Sequence, residues 1–100
     1  MSAQLTRNEQ VKRKREKILR LAKRYGVTNI RVFGSAARGD DTAESDIDFL
    51  VELEPGRSLF DVGGLLMELE TLLHCKVDVI TEKSLHWYIR DKVLSEAKAL

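Results

Sequence analysis

Apolar residues recur along this chain at two spacings, one typical of helices and one typical of strands. From about Asn8 to Tyr25 they follow each other every three or four positions, which predicts an amphipathic helix that ends at Gly26. The same spacing follows a cap-like Ser58 and continues to about Leu73, and a last helix is predicted after Ser84. The predicted buried stripes are Ile18, Leu21, Ala22 and Tyr25; Leu59, Val62, Leu65, Leu66, Leu69, Leu72 and Leu73; and Leu85, Ile89, Val93 and Ala97.

Three short β-prone runs lie between the predicted helices, at residues 30–33, 47–53 and 77–80. In the second run, apolar residues occupy alternate positions, which predicts a half-buried strand. The predicted fold is therefore a small α/β (α+β) domain in the order α-β-β-α-β-α. Its mixed sheet has three or slightly more strands and is flanked by helices. With 43% hydrophobic residues, positions 1–100 are expected to form a single domain with one modest core.

The second predicted strand begins with two carboxylates. Because successive side chains of a strand point to opposite faces, Asp46 and Asp48 are predicted to share a face, with Cα atoms roughly 6.5 to 7 Å apart. Two like charges so close favour a bound cation, and Mg²⁺ prefers oxygen ligands. Asp78 adds a third carboxylate, and such a set can serve two Mg²⁺ ions. The alternatives are a solvated turn before the strand and an exposed edge position for Asp78.

A small-residue turn precedes these carboxylates. The first predicted strand ends at Gly34-Ser35, and Arg38 follows within a segment of small residues. A glycine allows a phosphate to approach the backbone, whose N–H groups can donate to it together with the Ser35 hydroxyl and the Arg38 guanidinium. The sequence thus predicts nucleotide binding by Gly34, Ser35 and Arg38, with an ordinary hairpin or loop as the alternative.

The formal net charge of +1 conceals two oppositely charged regions. Residues 1–25 contain nine Lys and Arg and two Glu, whereas residues 26–100 contain eight Lys and Arg and fourteen Asp and Glu. The run Lys12-Arg13-Lys14-Arg15 could bind nucleic-acid phosphates or an acidic partner protein. A solvated face is the preferred interpretation, because the acidic remainder repels nucleic acid and no aromatic residue in the run could stack on bases. We predict a basic N-terminal helix over residues 1–25 that packs on the domain.

Other classes of site and location are limited by composition. Cys75 is the only cysteine, so an internal disulfide and a zinc site of several cysteines are excluded, and a buried thiol is predicted. His74 is predicted at a helix end, and His86-Trp87-Tyr88 is predicted either to pack on the sheet or to contact a partner. No apolar run reaches membrane-spanning length and no secretory segment opens the sequence, so a cytoplasmic protein is expected.

The order of these motifs resembles a known signature. Gly34-Ser35 is followed after ten residues by Asp46-Ile47-Asp48, with Ala37-Arg38-Gly39 in the gap and Asp78 on a later strand. This pattern resembles the DNA polymerase β-like nucleotidyltransferase superfamily. Within that superfamily, the short chain is similar to the minimal nucleotidyltransferases, the antitoxin half of HEPN/MNT toxin–antitoxin systems. The resemblance runs from about Val32 to the end of the sequence.

The resemblance implies an activity and a partner. It implies that the chain binds ATP with two Mg²⁺ ions held by Asp46, Asp48 and Asp78, and transfers AMP to a tyrosine hydroxyl of a HEPN-type ribonuclease toxin. A hetero-oligomer with that toxin is expected, and nucleic acid is expected only through the toxin. Two alternatives stay open: an antitoxin that masks its toxin by contact alone, and a nucleotidyltransferase that acts on a small molecule or an RNA end.

Overall fold

The structure is a computed structural model that describes residues 5–85 and 87–100, with all their side chains except those of Trp87 and Tyr88. Most of the predicted His86-Trp87-Tyr88 surface therefore lies outside the described part of the chain. The predicted element order is confirmed, with a short helix, a 3₁₀ turn at Glu82–Ser84 and a fourth strand in addition. In chain order the elements are α1 Arg7–Arg13, α2 Arg15–Arg24, β1 Val27–Phe33, α3 Ser35–Arg38, β2 Ile47–Leu53, α4 Leu59–Leu73, β3 Val77–Thr81, α5 Trp87–Glu96 and β4 Lys98–Ala99.

The four strands form one mixed sheet in the order β3-β2-β1-β4. β1 is antiparallel to both β2 and β4, whereas β2 and β3 are parallel. A parallel pair needs a long connection, and α4 supplies it between β2 and β3. The two-residue strand β4 was not predicted, because so short a segment carries no periodic pattern.

The main core lies between one face of the sheet and the helices α2 and α4. Register places Val32, Phe49 and Val79 in one row across β1, β2 and β3, so their side chains share this face. The completely or almost completely buried core residues include Ile18 of α2, Ile47, Phe49 and Val51 of β2, and Leu65 and Leu69 of α4. The opposite face of β2 carries Asp48, Leu50 and Glu52.

The predicted N-terminal helix is interrupted. Lys14 has φ −103° and ψ 15°, outside the helical range, and separates α1 from α2. Its ammonium group donates to the carbonyl of Leu72 at 2.9 Å, which ties the break to the end of α4. Both helices pack on the domain, through Val11 of α1 and through Ile18 and Ala22 of α2. The prediction of one continuous helix is therefore wrong, although its packing stripe is partly correct.

The other two helices also differ from the predictions in detail. Ser58 caps α4 in a reciprocal capping box with Asp61, as predicted, but Leu59 is 78% exposed and the buried stripe begins at Leu65. The last helix begins at Trp87. Ser84, the predicted cap, belongs instead to the 3₁₀ turn, where its hydroxyl donates to the Thr81 carbonyl. Cys75 is a free thiol that is half-buried instead of buried. No helix in the described ranges is long and apolar enough to cross a membrane.

Candidate active site

The parallel pairing of β2 and β3 brings two of the predicted carboxylates side by side. Asp48 and Asp78 are direct register partners, and Asp46 lies one residue before β2 begins. Asp48 is half-buried, whereas Asp46 and Asp78 are exposed. The three aspartates therefore lie at one end of the sheet, with the most enclosed of them on the central strand.

The environment of Asp48 disfavours its negative charge. Burial is the main cause that raises the pKa of Asp48, followed by the charge of Asp78 and a hydrogen bond with it, and then by the charge of Asp46. The positive charge of Arg38 acts in the opposite direction on the same pKa. Asp46, Asp78 and Arg38 thus all influence the ionisation of Asp48. The site is accordingly a cluster of like charges with one nearby cation.

Gly34 lies directly beside Asp48 of this cluster. Register pairs Phe33 with Asp48, so the chain reaches the carboxylate as β1 ends. Gly34 has φ 72° and ψ −150°, a backbone conformation that residues other than glycine rarely adopt. A Cβ atom at Gly34 would lie 2.5 Å from Oδ2 of Asp48. Glycine is thus required here both for the backbone conformation and for the space beside the carboxylate.

The predicted phosphate turn forms the short helix α3. Its backbone amides at Ala37 and Arg38 donate to the Gly34 carbonyl, and Gly39 ends it in the left-handed conformation with φ 84°. The Arg38 guanidinium, half-exposed, pairs with Asp40 at 3.3 Å and with Glu96 at 3.2 Å. The structure therefore brings the predicted turn and the predicted carboxylates into one neighbourhood.

A contact between α1 and the site loop was missed by the sequence analysis. Asn8 donates its backbone N–H to Asp41 at 2.7 Å and its side-chain amide to the Ala36 carbonyl at 2.8 Å. Arg7 donates through Nε to the carbonyl of Ser45 at 2.6 Å, next to Asp46. Among the described residues, Asp41 is the one charged residue that is buried, with 9% exposure. The start of α1 thus holds the loop that connects the phosphate turn to the aspartates.

One of these features had a weak signal in the sequence, and the other had none. Thr6 and Glu9 form a reciprocal capping box that starts α1, and their spacing alone could have placed this start. The pairing of Asn8 with Asp41 joins residues 33 positions apart, and no local pattern predicts it.

The donor chemistry of the site fits a divalent cation. Carboxylate oxygens and uncompensated negative charge are what Mg²⁺ requires, and Asp48 and Asp78 lie together before any ion is bound. Within residues 5–85 and 87–100, no three His, Cys, Asp or Glu side chains already have their donor atoms gathered around one point. The three aspartates are therefore not arranged here as a complete set of metal ligands.

The aspartates lie on an open face of the domain. Two surface cavities of about 550 Å³ each lie elsewhere, one between α2 and β1 and the other around the loop between β2 and α4. Neither is lined by an aspartate of the cluster or by Gly34. Because Asp46 and Asp78 are exposed, the site leaves room for a bulky acceptor.

Comparison with known proteins identifies the fold and its chemistry. Residues 11–100 match the nucleotidyltransferase domain family. The chain belongs to this family. Protein adenylyltransferase MntA of Thermococcus cleftensis is 42% identical over 76 residues, which are 76% of this chain and 77% of the relative. The chain is therefore a nucleotidyltransferase, as the motif order indicates.

Solved structures agree with this assignment. A chain assigned as a minimal nucleotidyltransferase superposes with a TM-score of 0.85 at 40% identity, and the match covers 99% of this chain and 100% of the other. A chain from a crystallised mutant toxin–antitoxin complex that contains MntA has a TM-score of 0.71 at 26% identity, covering 86% of this chain and 70% of that one. The predicted minimal nucleotidyltransferase fold is confirmed.

Proposed function

We propose that this protein is an antitoxin that transfers the adenylyl group of ATP to a tyrosine hydroxyl of a HEPN-type toxin. The observation that carries the proposal is the cluster of Asp46, Asp48 and Asp78 on an open face beside Gly34. The similarity of the chain to the adenylyltransferase MntA of Thermococcus cleftensis supports AMP as the transferred group. The similarity of the chain to one from a toxin–antitoxin complex supports a toxin as the acceptor and a hetero-oligomer as the working assembly.

In this proposal the three aspartates hold two Mg²⁺ ions. Held there, such ions would offset the charge of the triphosphate and would make the acceptor hydroxyl easier to deprotonate. Gly34 and Ser35 donate to the β- and γ-phosphates through the backbone and the Ser35 hydroxyl, and Arg38 adds a positive charge there.

Transfer requires one bond to form and one to break. The acceptor oxygen bonds to the α-phosphorus of ATP, the bond from that phosphorus to the bridging oxygen breaks, and pyrophosphate leaves. Asp78 accepts the proton of the hydroxyl, since it is exposed beside Asp48 and can reach an incoming acceptor.

The basic face of α1 and α2 is the proposed contact with an acidic surface of the toxin. Lys17 and Arg20 lie one turn apart on α2, and Arg13 ends α1 just before the break at Lys14. None of the three forms an ion pair with a described residue. Nucleic acid is the less favoured partner, because fourteen acidic residues in 26–100 repel phosphates. If charge reversal at Arg13 and Lys17 does not change the affinity for the toxin, this contact is contradicted.

The test is incubation of the protein with its toxin, labelled ATP and Mg²⁺, followed by mass spectrometry of both chains. We expect added mass in whole AMP units on a toxin tyrosine, and recovery of growth when the two are co-expressed. The Asp46→Asn/Asp48→Asn double variant is the control, and it should bind the toxin without modifying it. Growth recovery by this variant with no added mass would indicate a masking antitoxin. Labelling of an RNA end or a small molecule, with the toxin unmodified, would indicate the remaining alternative.

A further inference from the structure

The guanidinium of Arg38 is held by carboxylates from two distant parts of the chain. Nε of Arg38 lies 3.3 Å from Oδ2 of Asp40, and Nη1 lies 3.2 Å from Oε2 of Glu96. A guanidinium has five N–H donors in a rigid planar fork, so two such bonds determine the orientation of its plane. Within the described residues, Nη2 of Arg38 has no hydrogen-bond partner. One edge of the fork is therefore available to a ligand.

Glu96 is the more firmly held of the two carboxylates. It is the last residue of α5, and its side chain is 22% exposed, against 62% for Asp40. Immediately after it, Ala97 donates to the Val93 carbonyl, and β4 pairs with β1. Because β1 leads directly into Gly34, the backbone that carries Glu96 is tied to the strand that delivers the phosphate turn. Glu96 thus has a defined position relative to the site.

We propose that Glu96 is a positioning residue for the nucleotide, because it holds the Arg38 guanidinium so that its free edge faces the triphosphate. This inference rests on the proposed function, in which Arg38 contacts ATP. The guanidinium is near enough to the carboxylate cluster for its charge to act on Asp48. Exposed ion pairs of this kind add little to stability, so the effect of Glu96 should appear in nucleotide binding and not in folding.

The test is titration calorimetry of a nonhydrolysable ATP analogue with Mg²⁺, together with thermal unfolding of each variant. Glu96→Ala should weaken binding about 5-fold while leaving the unfolding midpoint nearly unchanged. Glu96→Gln should restore most of the affinity, because its amide oxygen can still accept from Nη1. Asp91→Ala is the matched control, since Asp91 is an exposed carboxylate on α5 without an ion pair to a described residue.

A double-mutant cycle decides whether Glu96 acts through Arg38. In an Arg38→Ala background, Glu96→Ala should have no further effect on affinity. If Glu96→Ala does not change the affinity of the wild-type protein for the ATP analogue, this inference alone is overturned. It is also overturned if Glu96→Ala lowers the affinity equally in the Arg38→Ala background. A wild-type protein that binds no ATP would overturn the proposed function and this inference together.

Discussion

The two faces of the central strand β2 have opposite energetic characters. On one face, Ile47, Phe49 and Val51 are fully buried against α2 and α4, and removal of their apolar surface from water stabilises the fold. On the other face, Asp48 is half-buried among like charges, and burial disfavours its ionised form. Neighbouring residues of β2 therefore differ in their energetics, since one face stabilises the fold and the other carries the charge on which the proposed chemistry depends.

Substitutions at adjacent positions of β2 should therefore separate stability from activity. A change on the packed face should lower the free energy of unfolding, with activity falling only as folded protein is lost. A change at Asp48 on the acidic face should remove activity while leaving the fold intact.

Phe49→Ala should have the largest effect. Phe49 is completely buried in the core, and truncation of such a side chain costs about 3 to 5 kcal/mol of unfolding free energy. Urea unfolding of the purified variant measures it. Leu59→Ala is the matched control, because Leu59 is 78% exposed and its truncation should change stability by less than about 0.5 kcal/mol. Similar losses at both positions would contradict the assignment of the packed face.

Asp48→Asn should lower AMP transfer by more than about 10²-fold, because loss of residues that only support a metal ligand already costs 10- to 100-fold. Its unfolding free energy should stay the same or rise slightly, since a repulsive charge is removed. Transfer of label from ATP measures the first effect and urea unfolding the second. Glu52→Gln, on the same face but paired with Arg31, should keep its activity. An active Asp48→Asn enzyme would exclude the proposed metal site.

Gly34→Ala should lower both stability and activity. Its positive φ is strained for alanine by about 1 to 3 kcal/mol, and the added Cβ would meet Asp48. Gly56→Ala separates these two causes, because Gly56 has φ 89° but no atom within 4 Å of an added Cβ. Both variants should unfold more easily, whereas only Gly34→Ala should impair ATP use. Equal activity in the two variants would show that the space beside Asp48 is not needed.

The sequence could predict features that depend on local periodicity but not contacts between residues far apart along the chain. Alternation within residues 47–53 identifies both faces of β2, and Asp48 and Asp78 are register partners on β2 and β3, whereas Asp46 lies just before β2. The contacts of Asn8 with Asp41 and of Arg38 with Glu96 join residues 33 and 58 positions apart, and periodicity carries no information about such pairs. The break at Lys14 was missed because its stabilising contact, the Leu72 carbonyl, also lies far away in the sequence.

The smallest expected effect is a pH dependence of stability that comes from Asp48. A carboxyl group whose folded pKa exceeds its unfolded value stabilises the fold while it is protonated, and this contribution is lost as the pH rises through the folded pKa. Without Mg²⁺, Asp48→Asn should therefore match the wild type at about pH 3 and exceed it at about pH 7. Because Asp48 is only half-buried, solvent screening keeps the difference below about 1 kcal/mol. Thermal unfolding across this range measures it. Added Mg²⁺ at about pH 7 should stabilise the wild type more than the variant, and a difference independent of both pH and Mg²⁺ would contradict the assignment of repulsive charge to Asp48.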